Sequence, residues 1–337
     1  MVKTKSGISL IAVYKAFGTT EACLAYLEAA RWPEGVHCPV CGGKDISKFV
    51  TNETMREFTD DQGSVIKTAR VPARHLYQCN EESCRFQFSA TAGTIFDKSH
   101  LPLPTWFQAV ALIVNAKKSV SAKQMQRDLG VNYRTAWHLN HRIREAMQSE
   151  GGLFNGTVEM DATYVGGKYD RRRKRANYDK TQAVSGVLQR RTETLPSQVR
   201  AFPIPTEIKP VVLGIVRDHV SVEATIMTDE ARAYVPLTKE GWKHQSVRHS
   251  TKEYVRGNVH TNGIENFWSL FKRGVIGSFH QVSVKHLHRY LNEFSFRFNN
   301  REAEDLFGLI IVNLAIGTAL RYKALTAKAS AESPEHF

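Results

Sequence analysis

Long apolar runs are missing from this chain of 337 residues. The strongest, Leu309 to Ile316, falls far short of the ~20 residues that span a bilayer and is interrupted by Asn313. The apolar patch from Ile8 to Tyr14 has no small-residue cleavage site before Lys15, which argues against a secretory leader. Cysteine is scarce too. Five residues in so long a chain cannot make a disulfide scaffold, so a reducing, intracellular setting is expected. Acid is the third shortage: 33 Asp and Glu stand against 46 Lys and Arg, a net charge of +13 at pH 7. That surplus says nothing of fold, but it favours a polyanionic partner, either nucleic acid or an anionic membrane surface. Without a spanning segment, the expectation is a cytoplasmic, nucleoid-associated protein that handles nucleic acid and has no membrane partner.

What cysteine there is comes in pairs. Cys38 and Cys41 lie in "CPVCGG", Cys79 and Cys84 in "CNEESC", and Cys23 sits alone in an apolar-periodic helical stretch, Thr20 to Ala30, that stops at Trp32-Pro33. Two short cysteine turns on separate hairpins supply the tetrahedral thiolate set that Zn²⁺ prefers. The wider spacing of the second pair leaves room for His37 or His75 to compete as a ligand. A closed four-ligand site leaves no open position for substrate, so this zinc would be structural. It would hold together a small module of short strands between residues 38 and 90.

From Pro104 to Met147 the pattern is helical. Ser121 to Met147 has the length of two helices joined at Gly130-Val131-Asn132, with Met125 and Leu129 on one apolar face and Ala136, Leu139, Ile143 and Met147 on the other. That periodicity leaves Arg134, His138, His141, Arg142 and Arg144 on the surface. In a helix-turn-helix the start of the second helix meets base edges, here Asn132, Tyr133 and Arg134, with His138 and Arg142 further along. A plain helical hairpin is the other reading.

A polar, glycine-bearing stretch, Gln148 to Thr157, looks like a linker. Beyond it "TVEMDATYVGG", "AVSGVLQ", "VRAFPIP" and "EATIMTD" read as strands, a helix follows "TEIKP", and helical signals run from Asn262 to about Leu325. The fold class expected is a multidomain α/β protein with a mixed sheet. Asp161 and Asp229 each end a β-like run, and Glu265 lies on a helix whose buried face is Ile264, Phe267, Trp268 and Phe271. Carboxylates at strand ends are where hard divalent cations are held. Three acids so placed can take two Mg²⁺ ions about 4 Å apart for in-line displacement at phosphorus. Lys272 lies seven residues after Glu265, on the same flank. The basic run Lys168, Arg171, Arg172, Arg173, Lys174 and Arg175 either grips DNA phosphates or is a solvated loop. Asn262 is the expected N-cap of the Glu265 helix, and His260 is a candidate for approach to a substrate phosphate. Phe294, Phe296, Phe298 and Tyr290 suit a core.

These residues resemble one family nearly end to end, through "YLEAARWPEGVHCPVCGG", "CRFQFSATAGTIFDKSHLPLPTWFQAV", "VEMDATYVGGK" and most specifically "HTNGIENFWSLFKRGVIGSFHQVSVKHLHRYLNEFSFRFNNR". It is that of the DDE insertion-sequence transposases with an N-terminal zinc ribbon, the ISXO2-like transposases. The resemblance implies a ribonuclease-H-like catalytic core whose triad matches Asp161, Asp229 and Glu265, with Lys272 as the following basic residue. It also implies Mg²⁺, replaceable by Mn²⁺, as the catalytic ion. Double-stranded DNA would be the partner, as element ends and target, and the synaptic complex would hold a homo-oligomer. The expected segments are residues 1–100 for the N-terminal helix and zinc ribbon, 101–150 for the helix-turn-helix, 156–305 for the catalytic domain and 306–337 for a C-terminal helix and tail. A transposase-derived DNA-binding regulator with a dead core is the competing expectation, opposed by the intact Asp161, Asp229, Glu265 and Lys272.

Overall fold

The computed structural model describes residues 3–4, 7–71, 73–148, 151–166, 169–170, 175–176, 181–251 and 253–327. They fall into two compact units: Ser9–Gln108 with Gly308–Ala319, and Ala109–Phe307 with Lys3–Ile8 and residues from Leu320 on. No helix among the described residues is long and apolar enough to cross a membrane.

The chain opens with two short antiparallel strands, β1 (Lys3–Thr4) and β2 (Gly7–Ile8), which count with the second unit. The first unit then begins with α1 (Leu10–Ala16) and α2 (Thr20–Arg31). Ser9 and Thr19 cap them, each hydroxyl accepting from the amide three residues on. Strands β3 (Ile46–Val50), β6 (His75–Cys79) and β7 (Gln87–Phe88) form an antiparallel sheet. A separate ribbon, β4 (Thr54–Thr59) with β5 (Val65–Val71), lies between β3 and β6 in sequence, and every residue of β4 is exposed. Leu24, Trp32, Tyr77, Phe88 and Ala90 make the core around Cys38 and Cys79.

After α3 (Leu103–Asn115) come α4 (Ala122–Leu129) and α5 (Tyr133–Glu145), placed in the second unit. Ser121 caps α4, Gly130 takes the left-handed conformation (φ 65°) that ends it, and Asn132 caps α5 through its side chain to the Thr135 amide. The turn therefore stands where the sequence placed it. The expectation of a basic surface along all of α5 fails over its second half, where Arg142 is 5% and Arg144 2% exposed and His141 is fully buried. Periodicity shows one apolar stripe, but here another helix of the unit covers the remaining face and answers Arg144 with an ion pair.

Strand β8 (Thr157–Gly166) leads to β9 (Tyr169–Asp170) and β10 (Arg175–Ala176), which pair with each other. The sheet then takes β11 (Thr181–Gln189), β12 (Gln198–Ile204), β13 (Thr225–Thr228) and β14 (Lys243–Ser246), with α6 (Lys209–His219) between β12 and β13. Its order is β12-β11-β8-β13-β14, antiparallel among the first three strands and parallel across β8-β13-β14. Val158 and Met160 face α6, where Val212, Ile215 and Val216 bury them. The other face carries Val165, Val184 and Leu188 against α7 (Asn262–Gly274) and α8 (Leu287–Asn299). Phe294, Phe296 and Tyr290 lie in the core, as expected. A Cβ on Gly186 of β11 would stand 2.6 Å from the Trp268 ring, so glycine there lets α7 lie flat on the strand beside Asp161. The last helices among the described residues are α9 (Leu306–Ile316) and α10 (Tyr322–Thr326).

Candidate active site and metal centre

Asp161 does not end its strand; it sits in the middle of β8, half-buried. What opens space beside it is the shortness of β13, which pairs with β8 only from Thr157 to Glu159 and stops at Thr228. Met227 is level with Glu159, so continuing the register sets Asp229, the first residue past β13, abreast of Asp161 on the neighbouring chain segment. Side chains alternate along β8, and with Val158 and Met160 facing α6, Asp161 belongs to the face that α7 covers. Glu265 lies in the first turn of α7 and is exposed, as is Lys272 further along the helix.

The acids act on one another through charge, though among the described residues they do not form a ligand cluster of the kind the cysteines make. Burial, then the charge of Asp229 and, more weakly, those of Glu207 and Glu265, raise the Asp161 carboxyl to about 7. Glu207, between β12 and α6, was missed in the sequence. Burial and the Asp229 charge raise its carboxyl as well. The signal for it was an acid just past a strand end, in "TEIKP". Asp229 accepts the Ala231 amide at 2.9 Å, and Glu265 accepts the hydroxyl of buried Thr261 at 2.7 Å. Thr261, not Asn262, is therefore the N-cap of α7, and its side chain serves the carboxylate instead of a backbone amide. Among the described residues no ion pair involves Asp161, Asp229, Glu207 or Glu265. The donor set is all oxygen and uncompensated, which fits a hard divalent cation.

A second acid the sequence reading passed over is Glu159, 1% exposed and two residues before Asp161 on the same face. Its carboxylate accepts Arg190 Nε at 2.6 Å and the Ile264 amide at 2.9 Å. His260, a candidate for approach to a substrate phosphate, has Nδ1 2.8 Å from an Arg190 nitrogen and 3.5 Å from the Glu159 carboxylate.

The cysteine centre is gathered tightly. Cys38, Cys41, Cys79 and Cys84 bring their sulfurs within 4.8 Å of one another, with Cys38–Cys84 and Cys41–Cys79 both at 3.6 Å. This is the only such cluster of possible ligands among the described residues. His37 packs on Trp32 and His75 turns toward Glu21, so neither joins the set. Burial opposes ionisation of Cys38, yet the amides of Cys41 and Val40 and neighbouring thiols outweigh it and bring this thiol down to about 7. Burial pushes Cys79 up to about 12. The set suits tetrahedral Zn²⁺ with no open position.

On α5, Asn132 and Tyr133 are exposed, and Arg134 lies over the Tyr322 ring at 4.2 Å. His138 is half-buried, packs on Tyr322 and approaches the Leu320 carbonyl. Arg142 is inside and does not belong to an exposed contact surface. Lys168, Arg171, Arg172, Arg173 and Lys174 lie outside the described residues, and Arg175 is placed only as backbone of β10.

The comparisons with known proteins fall on both centres. The ISXO2-like transposase domain matches residues 154–299, which span the sheet and all three acids, and the transposase zinc-ribbon domain matches residues 18–87, which hold the four cysteines. A protein of transposable element ISH50 from Halobacterium salinarum is 27% identical over 294 residues, covering 84% of this chain and 92% of that one. A transposase-like protein of Haemophilus influenzae is 30% identical over 113 residues, 34% of this chain and 90% of its own length. The fold and the two centres thus define an insertion-sequence transposase with an N-terminal zinc ribbon. The chain belongs to the ISXO2-like transposases.

Proposed function

We propose that this chain is a metal-dependent DNA transposase that binds the terminal inverted repeats of its element and catalyses strand cleavage and strand transfer. The observation that carries the reading is the uncompensated acid end of the sheet, where Asp161 feels Asp229, Glu207 and Glu265 and no described cation offsets them. The sheet order, with three antiparallel strands followed by two parallel ones and the acids on strand, post-strand loop and helix, supports a ribonuclease-H-like core. In this reading Asp161, Asp229 and Glu265 hold Mg²⁺ or Mn²⁺. Such ions supply a Lewis acid and an activated hydroxyl for in-line displacement at phosphorus. Lys272, exposed on the Glu265 helix, offsets phosphate charge at the reacting strand. The capped start of α5, with Asn132, Tyr133 and Arg134, reads base edges, and the basic run from Lys168 adds salt-dependent grip on the backbone. Cys38, Cys41, Cys79 and Cys84 hold a structural Zn²⁺. Joining two element ends calls for a homo-oligomer.

The test is cleavage of a labelled element-end duplex by purified full-length protein. Groups acting as one unit fail singly, so Asp161→Asn and Glu265→Gln should each lose activity by about 10³-fold or more while end binding survives. A Glu265→Gln protein that cleaves at the wild-type rate would overturn the triad. End binding by the wild type with no cleavage in Mg²⁺ or Mn²⁺ would make the chain a DNA-binding regulator instead.

A further inference from the structure

The stretch that leads into α7 is tied to the sheet by an ion pair between buried Glu159 and half-buried Arg190. Glu159 accepts Arg190 Nε at 2.6 Å with one carboxylate oxygen and the Ile264 amide at 2.9 Å with the other. Arg190, at the end of β11, also donates to the carbonyls of Asn258 and His260, both at 2.7 Å. A helix N-terminus leaves amides unsatisfied and carries partial positive charge, so a carboxylate there is well placed. Gly263 makes the approach possible, because a Cβ on it would lie 2.9–3.2 Å from the Glu159 carboxylate atoms.

Stability alone does not account for this pair. Replacing a buried ion pair by apolar side chains of similar volume is often neutral or stabilising. Its position is the informative fact. Glu159 and Asp161 share one face of one strand, about 6.7 Å apart along it. The amide that Glu159 holds belongs to the residue just before Glu265. Resting on the proposed metal-dependent activity, we infer that Glu159 and Arg190 are positioning residues that set the distance of Glu265 from Asp161, and hence the span of the divalent-cation site. Neither touches the ion. They fix the first turn of α7, while Thr261 aims the Glu265 carboxylate.

The test is Mn²⁺ binding to the zinc-loaded full-length protein, measured by titration calorimetry without DNA, beside thermal stability and divalent-free end binding. Glu159→Gln and Arg190→Gln should each weaken Mn²⁺ binding by tenfold or more and leave end binding unchanged. The double variant Glu159→Met with Arg190→Met should recover the melting temperature without recovering Mn²⁺ affinity. Recovery of both would reduce the pair to packing and overturn the inference. Should the Glu159 variants fail to fold, Gly263→Ala displaces the same carboxylate by tenths of an ångström and should weaken Mn²⁺ binding in a folded protein; unchanged affinity there would overturn it. Mn²⁺ binding weakened by Glu265→Gln but unaffected by Glu159→Gln overturns this inference alone. A wild-type chain that binds no Mn²⁺ overturns the functional reading along with it.

Discussion

Glu293 on α8 and Asp161 on β8 are two carboxylates drawn into the same unit, and their surroundings treat them in opposite ways. Glu293 is fully buried, yet it stays below the usual carboxylate range: burial pushes it up, and Arg144, Arg297 and the Ser119 hydroxyl outweigh that. The partners stand at 2.8, 3.1 and 2.7 Å. Asp161 is less buried but is raised to about 7, by burial first and then by the charges of Asp229, Glu207 and Glu265, with no cation among them to outweigh burial. A buried acid among cations is a joint of the fold. A buried acid facing acids carries a cost that folding does not relieve, and a cation from solution would relieve it. The four thiols show a third arrangement. Their sulfurs lie within 4.8 Å of one another, two pairs at 3.6 Å, as a tetrahedral ligand set requires.

That third arrangement gives the largest expected effect. A closed thiolate set gains its metal affinity together with its folding, so full-length protein should carry one zinc per chain. Cys38→Ser or a strong chelator should remove it, and circular dichroism should then show loss of the strand signal of the first unit. Retained zinc in Cys38→Ser would make the cluster a packing accident.

How much of this was legible in the sequence depends on whether partners are near in the chain. The cysteine turns are local, and the wide second one closes because the Cys84 amide reaches back to the Glu81 carbonyl. The caps of α4 and α5 are local too. The pattern that puts Asp161 at a strand end misses that β8 runs on past it; the space beside Asp161 comes from the short neighbour β13, which the run of residues in β8 does not reveal. Arg144 was misplaced on the surface because its partner Glu293 lies 149 residues away, and no periodicity within α5 reveals which helix covers it. Glu159 was overlooked for the same reason. Its amide partner is 105 residues distant, and a glutamate alternating with an aspartate on one strand face looks solvated until α7 is laid over it.

The joint itself should give the next effect. Glu293→Gln keeps the shape but leaves the Arg144 guanidinium, 2% exposed, without its counter-charge, which typically costs about 3–5 kcal/mol. Replacing Arg144 and Glu293 together by Met should recover most of the loss in a thermal melt. The pH dependence follows from the depressed Glu293 pKa. Its contribution is complete above the ordinary carboxyl pKa and is lost as pH falls through the lower folded value. Glu293→Gln should therefore flatten the acid limb of the stability curve below about pH 4. An unchanged acid limb would mean that the network does not hold this charge.

Asp161→Asn should give the smallest effect, of opposite sign. A carboxyl raised to about 7 binds its proton more tightly folded than unfolded, so stability falls as pH climbs from the ordinary carboxyl value near 4 to about 7. Asparagine removes that cost and keeps the shape. Asp161 is partly exposed, and solvent screening reduces the gain to of order 1–2 kcal/mol, or roughly 2–8 °C in a unit of this size. In buffer with zinc retained and no other divalent ion, the variant should melt higher than wild type at pH 7.5, and the two should converge near pH 4. Added Mn²⁺ should reverse the order, because binding to the folded state stabilises only a chain that keeps the ligand. If Asp161→Asn melts lower than wild type at pH 7.5 without Mn²⁺, Asp161 is paired as Glu293 is. The acid end of the sheet would then be a joint and not a site.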